Sequence, residues 1–200
     1  MSRHTDVPKD DYTPDQQALF DAITGGKRGS LRKPEDFVNA AGGLIGPFGV
    51  WMHAPRLGMI GQRLGEAIRF EGTLPDDWRE LAILIVAHEW KTQYEWWAHA
   101  RIGLDAGLDE AVIDAVKSGQ PLPDGTSREM QAIYAVGREL IADRSLSDKG
   151  YEAAVAALGE PTVVELVMLF GYYHLISMTL NAFKVPLPPG EVRPFPDAPT

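Results

Sequence analysis

The chain has 200 residues, of which 44% are hydrophobic, 24% charged and 9% aromatic, and these values are typical of one soluble globular domain. Its 19 basic and 28 acidic residues give a net charge of −9 at pH 7, and no compact basic run offers a surface for nucleic-acid phosphates. The sequence contains no cysteine, which excludes disulfides, thiolate nucleophiles, cysteine-ligated zinc and dithiol redox chemistry.

The first twelve residues are polar and charged, and we expect residues 1–12 to form a flexible N-terminal segment. They lack the apolar stretch of a signal sequence, and no part of the chain approaches the roughly 18 to 20 apolar residues of a membrane span. We therefore expect a cytoplasmic protein that has no membrane partner.

Apolar residues recur at three- and four-residue spacing through the middle of the chain, and alternating runs bounded by turn residues are missing. This pattern predicts an all-α fold, a bundle of about eight or nine helices. The first helix is predicted to begin at Thr13-Pro14 and to end at Gly25-Gly26, and the glycine-rich segment Gly42–Gly49 is predicted to be a loop. Further helices are predicted over Pro55–Gly72, Pro75–Lys91, Gln93–Ala106, Asp109–Ser118, Ser127–Ala142, Ser147–Leu158 and Pro161–Phe183.

The last predicted helix, Pro161–Phe183, is apolar nearly all round, so we expect it to be buried on every side, at the centre of a bundle or at a subunit interface. The segment after it contains six prolines between Pro186 and Pro199 and cannot be helical. Residues 186–200 are therefore predicted to be an arm that lies on the surface or on a neighbouring subunit. Residues 13–185 then form one helical domain, and we expect a homo-oligomer because a large apolar patch on a monomer would promote aggregation.

The densest cluster of reactive and aromatic side chains runs from Arg79 to His99. Glu95 and His99 are four residues apart, so on a helix they lie about 40° apart on one face and can form a hydrogen bond. A carboxylate that holds an imidazole can act as an acid/base pair. Glu80 can join them only if the chain folds into a hairpin near Lys91, because one continuous helix would separate Glu80 from His99 by about 28 Å.

Each of these residues also has a purely structural interpretation. The run Thr92-Gln93-Tyr94-Glu95 matches a capping box, in which Thr92 caps the helix and Glu95 reaches back to the amide of Thr92. Glu80 can interact with the helix dipole, and His99 can be a hydrogen-bonded core residue. We expect exchange of His99 for asparagine or glutamine to separate the roles: a catalytic histidine leaves the melting temperature nearly unchanged, whereas a structural one costs stability.

Several short motifs occur along the chain in a specific order. They are Arg79-Glu80-Leu81, Tyr94-Glu95-Trp96 followed by His99, Ala106-Gly107-Leu108, Gly171-Tyr172-Tyr173 and Leu180-Asn181-Ala182-Phe183. Together they resemble the carboxymuconolactone decarboxylase family of the AhpD-like superfamily, over roughly residues 40–188. The resemblance is specific because separated motifs agree in order and spacing. It implies an AhpD-like helical bundle with a central hairpin, assembled as a homotrimer or homohexamer with sites near subunit interfaces.

The redox branch of that superfamily uses a glutamate, a Cys-x-x-Cys pair and a histidine four residues after the second cysteine. When the sequences are matched on His99, the cysteine positions fall on Thr92 and Glu95, and the glutamate falls on Glu80. The resemblance therefore implies the non-redox branch, with no peroxidase or disulfide reductase activity. The catalytic residues that it implies are Glu80, Glu95 and His99.

This set implies a lyase that decarboxylates a small carboxylated lactone or a related intermediate of aromatic-compound catabolism. Loss of carbon dioxide leaves a dienolate, so the developing charge must be spread and a proton delivered to carbon. His99, tuned by Glu95, is the expected donor, and Glu80 is a second donor or a relay. Glu80, Glu95, His99 and His53 could hold a divalent metal ion, but the resemblance implies no metal and no other cofactor.

Two other functions fit the same residues: a lactone hydrolase in which His99 activates water, and a non-catalytic oligomeric binding protein. For the lyase, the substrate carboxylate needs a cationic anchor, for which Arg56, Arg63 and Arg101 are candidates. His53 precedes a small residue and a proline, as is common in the family, and the tryptophan-rich rim can hold a flat substrate. His174 in the apolar helix must be paired, and an interhelical hydrogen bond is the simpler role for it. The expected substrate-binding residues are His53, Arg56, Tyr94, Trp96 and His174.

Overall fold

The computed structural model describes residues 2–27 and 37–198. Within these ranges the chain forms nine α-helices, one turn of 3-10 helix at Lys9–Asp11 and no β-strand, so the all-α prediction is confirmed. The helices are α1 (Pro14–Gly25), α2 (Gly46–Trp51), α3 (Pro55–Phe70), α4 (Asp76–Glu89), α5 (Gln93–Asp105), α6 (Glu110–Ser118), α7 (Arg128–Asp143), α8 (Asp148–Leu158) and α9 (Glu160–Phe183).

Side-chain caps start several of these helices where the sequence predicts them. Thr13 accepts a hydrogen bond from the amide of Gln16 and forms a complete capping box with it. The side chains of Asp109, Ser127 and Ser147 each accept a hydrogen bond from a backbone amide in the first turn of the helix that follows. Local hydrogen bonds of this kind are visible in sequence, so these helix starts agree with the prediction.

The prediction of a loop over Gly42–Gly49 is wrong in its second half, because α2 begins at Gly46. Pro47 in the first turn has a fixed φ that suits a helix start. Gly49 serves close packing, since a Cβ atom there would lie 2.5 Å from the carbonyl oxygen of Leu44. Gly49 therefore allows backbone segments to approach each other, whereas Gly42, with a φ of 77°, lies in the loop.

Backbone contacts divide the chain into two compact units. The first comprises Met1–Gly72 with Thr179–Pro186, and the second comprises Thr73–Met178 with Leu187–Thr200. The first unit has a buried core whose members are Leu19, Ile23, Phe37, Leu44 and Met52. The predicted domain limits at residues 12 and 185 remain predictions, and Met1, Pro199 and Thr200 of the two terminal segments lie outside the described residues.

Within one chain the last helix is buried on one side only, so it is not the centre of its own bundle, and its burial at a subunit interface stays a prediction. One side of α9 is buried, but Val164, Met168 and Leu175 on the other side are exposed. By length and composition α9 is also apolar enough to cross a membrane, contrary to the expectation that no stretch approaches a span. Half of its most apolar window is buried within the protein.

The described part of the proline-rich arm lies against its own chain. The side-chain amide of Gln93 donates to the carbonyl oxygen of Phe195 at 2.6 Å and accepts from the Phe195 amide at 3.0 Å. The Phe195 ring packs edge-on against Trp96, with 5.1 Å between ring centroids. An ion pair of 2.6 Å between Arg101 and Glu191 adds a second attachment. The arm therefore contacts α5 at its first turn and again near its middle.

Candidate acid/base site

The helices α4 and α5 form a hairpin that reverses at Lys91. The φ angle of Lys91 is 47°, in the left-handed region that commonly ends a helix. The amide of Thr92 donates to the carbonyl oxygen of Ala87 at 3.0 Å, and the amide of Lys91 donates to the carbonyl oxygen of His88 at 3.0 Å. This pair of hydrogen bonds is a Schellman motif, which ends α4. The predicted break near Lys91 is confirmed.

The hairpin brings Glu80, Glu95 and His99 together in what we call the acid/base cluster. Nδ1 of His99 donates to Oε2 of Glu80 at 2.5 Å, and Nε2 of His99 lies 3.3 Å from Oε2 of Glu95. The exposed fractions of the three side chains are 0% for Glu80, 6% for Glu95 and 9% for His99. A hydrogen bond to Glu80 therefore holds Nδ1 of the imidazole, while Nε2 faces the carboxylate of Glu95, and water is almost fully excluded from both carboxylates.

Two further side chains complete the surroundings of the acid/base cluster. Nε of Arg79 lies 3.8 Å from the second oxygen of Glu80, and the Tyr173 ring meets the His99 ring edge-on at 5.4 Å between centroids. Neither residue was expected to take part in the site. The Gly171-Tyr172-Tyr173 motif in an apolar helix and the arginine next to Glu80 were the signals from which they could have been found.

The two carboxylates determine the protonation of His99. Burial lowers the pKa of His99, but the charge and hydrogen bond of Glu80, followed by those of Glu95, raise it by more. The net result is a pKa above the ordinary value of 6.5. An imidazolium donates from both ring nitrogens, which matches one carboxylate on each side. The acid/base cluster thus favours the protonated imidazole, which can deliver its proton to a basic atom.

The capping-box interpretation of Thr92 and Glu95 is wrong. Thr92 stands at the N-cap of α5, but its side chain accepts no hydrogen bond from the helix. Its Oγ1 is buried and has no hydrogen-bond partner in the structure. Glu95 interacts with His99 instead, because the imidazole offers this carboxylate a charged partner that a backbone amide does not.

Exchange of Thr92 for valine, which has nearly the same shape, should leave stability unchanged or raise it by up to about 1 kcal/mol, because a buried hydroxyl without a partner costs desolvation energy. The matched control is Thr13→Val, at an N-cap that does accept a hydrogen bond. That change should cost about 1 kcal/mol. Urea unfolding of both variants measures the difference, and an equal loss in the two would contradict the unpaired state of Thr92.

Comparison with solved structures identifies the fold. A crystal structure described as an alkylhydroperoxidase AhpD core, an uncharacterised peroxidase-related protein from Ralstonia eutropha JMP134, matches with a TM-score of 0.70. The match covers 94% of this chain and 93% of that chain, at 18% sequence identity. This chain has the AhpD-like helical fold. No protein-family model matches the sequence, and no curated protein matches it either. An identity this low supports the fold and leaves function to be argued from the site.

Two of the predicted substrate-binding residues of this AhpD-like chain belong to the first compact unit, whereas the acid/base cluster belongs to the second. A ring nitrogen of His53 donates to the carbonyl oxygen of Thr5 at 2.9 Å. The guanidinium of Arg56 is paired with Asp15 at 2.7 Å. Both side chains therefore already have partners, and their role in substrate binding stays a prediction.

The aromatic candidates lie on α5, in the same compact unit as the acid/base cluster. Trp96 is buried beneath Phe195 of the arm, and Tyr94 packs against Trp97 with 5.5 Å between ring centroids. Trp96 thus contributes to the attachment of the arm. Substrate binding by Tyr94 and Trp96 stays a prediction.

His174 and Arg101 have partners that the sequence did not indicate, whereas Arg63 is exposed on α3 and its role as an anchor stays a prediction. Nδ1 of His174 donates to the carbonyl oxygen of Phe170 at 2.8 Å, so the hydrogen bond expected between helices lies within α9. Arg101 is engaged by Glu191 of the arm. Within the residues that the structure describes, no three histidine, aspartate or glutamate side chains are arranged to hold a metal ion.

Proposed function

We propose that this AhpD-like chain is a cofactor-independent acid/base lyase of the carboxymuconolactone decarboxylase type, which acts on a small carboxylated lactone of aromatic-compound catabolism. The observation that carries the proposal is the acid/base cluster, in which carboxylates flank both nitrogens of one imidazole. Such a group is charged when substrate arrives and has a proton to give. Any thiol-dependent route is left out of the proposal because the sequence has no cysteine.

In the proposed reaction, the bond between the lactone ring and its carboxylate breaks and carbon dioxide leaves. The electron pair passes into the ring as a dienolate, and a proton from His99 then adds to a ring carbon. The transferred proton is the one on Nε2, because the 3.3 Å contact of Nε2 with Glu95 is longer than the 2.5 Å bond between Nδ1 and Glu80. Glu80 keeps the imidazole of His99 in place, and solvent returns a proton to Nε2.

The proposal is tested by incubating the protein with γ-carboxymuconolactone and measuring the loss of this compound by absorbance. We expect turnover by the unchanged protein and a loss of about 100-fold or more in the Glu95→Gln variant, which removes one carboxylate that raises the pKa of His99. The matched control is Glu152→Gln on the exposed face of α8, which should keep full activity. Absence of turnover at micromolar enzyme would refute the decarboxylase assignment.

The mass of the product separates the lyase from the lactone hydrolase, since one reaction loses carbon dioxide and the other adds water. The near-complete burial of Glu80 and Glu95 favours a second candidate function, a non-catalytic binding protein in which the acid/base cluster is only structural. For that function, no lactone is consumed and the Glu95→Gln change affects stability alone.

We also propose that the protein is a cytoplasmic homotrimer or homohexamer that binds neither nucleic acid nor membranes. The support is a row of exposed apolar side chains along α9, whose members are Val164, Val167, Met168, Leu175 and Met178. Sedimentation of the pure protein at micromolar concentration should show a species three or six times the mass of one chain. A single species of 22.0 kDa would refute the oligomer.

A further inference from the structure

A cavity of about 300 Å³ lies beside the C-terminal half of α4, and its lining includes none of the three residues of the acid/base cluster. Its apolar wall is formed by Ile85 of α4, Val116 of α6 and Ile141 of α7. The volume is at the lower end of the range for pockets that bind small molecules. These dimensions and this wall suit the apolar body of a small ligand.

Two of the five polar residues in the lining are arginines. Arg138 and Arg144 both line the cavity, and no carboxylate in residues 2–27 and 37–198 forms an ion pair with either of them. Acidic residues outnumber basic ones by 28 to 19 in this chain, so two arginines left without a carboxylate at one cavity are an unusual local excess of positive charge. Glu89 is the one acidic residue in the lining.

His88 also lines the cavity and adds a polar group to it. Nζ of Lys91 lies 3.1 and 3.2 Å from the two ring nitrogens of His88. Burial, and after it the charge of Lys91, lowers the pKa of His88, which favours the neutral ring. Lys91 contributes a third positive charge close to the cavity.

We propose that this cavity binds a small organic monocarboxylate, whose charged end is held by Arg138 and Arg144 and whose apolar body packs on Ile85, Val116 and Ile141. A planar guanidinium matches a carboxylate by two parallel hydrogen bonds, which favours this anion over a neutral amide of the same shape. The carboxylate of Glu89 repels a second negative charge, so a monoanion is preferred over a phosphate dianion. This inference does not depend on the proposed lyase function.

Calorimetric titration with benzoate tests this proposal, with benzamide and inorganic phosphate as comparison ligands. We expect benzoate to bind at least about tenfold more tightly than either, because only benzoate combines one negative charge with an apolar ring. Equal affinity for benzoate and benzamide, or no binding of benzoate at millimolar concentration, would overturn the proposal.

Variants then locate the site. Arg138→Gln and Arg144→Gly should each weaken benzoate binding by about tenfold or more. Arg144 has a φ of 57°, so glycine there relieves backbone strain and a loss of binding cannot be ascribed to unfolding. The control is Arg128→Gln, the same charge change at the other end of α7, which should leave the affinity unchanged. Unchanged affinity in both cavity variants would place benzoate elsewhere and overturn the proposal.

Discussion

Exchange of His99 for leucine should lower the free energy of unfolding by about 3 to 5 kcal/mol at pH 6, because it leaves the carboxylates of Glu80 and Glu95 buried without their shared cation. Arg79, whose Nε is 3.8 Å from Glu80, offsets only part of that charge. Urea unfolding with the ellipticity of the helices as the signal measures the loss. A cost below about 1 kcal/mol would contradict the burial of a charged cluster.

The cost of the His99→Leu change should also depend on pH in one direction. The folded-state pKa of His99 is raised, so the stabilisation by the imidazolium is complete below the ordinary pKa of 6.5 and is lost as pH rises through the folded value. The difference between the unchanged protein and the variant should therefore narrow toward alkaline pH. A difference that widens as pH rises would contradict a raised pKa.

Two further variants serve as controls for this prediction. Adding Glu80→Gln to His99→Leu replaces the buried charge with an amide and should recover part of the lost stability. His174→Leu removes a half-buried histidine that donates to a backbone carbonyl oxygen, and it should cost about 1 kcal/mol or less. A stability loss in His99 variants therefore does not distinguish a structural from a catalytic histidine, contrary to the expectation from sequence, and turnover must be measured separately.

The second large effect is expected on α9, where neighbouring residues lie on opposite sides of the helix. Leu169 is 0% exposed and Met168 is 52% exposed. Leu169→Ala should cost about 2 to 5 kcal/mol, because it removes buried methyl groups and leaves a cavity. Met168→Ala should change stability by no more than about 0.5 kcal/mol in the monomer. Thermal and urea unfolding of the two variants provide the comparison.

The melting temperatures of Leu169→Ala and Met168→Ala, measured at several protein concentrations, give a second comparison. If α9 packs against another copy of the chain, Met168→Ala should have a lower melting temperature than the unchanged protein only at protein concentrations at which the unchanged protein is oligomeric. Equal losses in Leu169→Ala and Met168→Ala at the lowest concentration would contradict the division of α9 into a buried and an exposed side.

The helix starts and the hairpin were predictable because their causes are local in sequence. Thr13, Asp109, Ser127 and Ser147 cap the helices that follow them, and spacing alone requires a reversal near Lys91 if Glu80 is to reach His99. The same locality made Thr92 misleading. Its sequence context is that of a capping box, but the tertiary partner of Glu95 determines the outcome.

The exposed side of α9 was not predictable, because a helix that is apolar all round has no polar stripe to indicate which side faces out. The attachment of Phe195 to Gln93 was not predictable from sequence either. Gln93 and Phe195 are 102 residues apart, and nothing in either local sequence specifies the pairing. The cavity with Arg138 and Arg144 likewise depends on how α4, α6 and α7 pack, which periodicity does not determine.

A single reversal at Lys91 joins Glu80 and His99, which are 19 residues apart in the chain. Closing so short a loop costs little chain entropy, and the contact requires no strand or helix from a distant part of the sequence. All three residues of the acid/base cluster thus lie within one helical hairpin, residues 76–105. Insertions, deletions or circular permutation elsewhere in the chain preserve the geometry of the acid/base cluster as long as α4 and α5 remain packed together. The surrounding residues, which select the substrate, can therefore change in sequence while the imidazole stays in place.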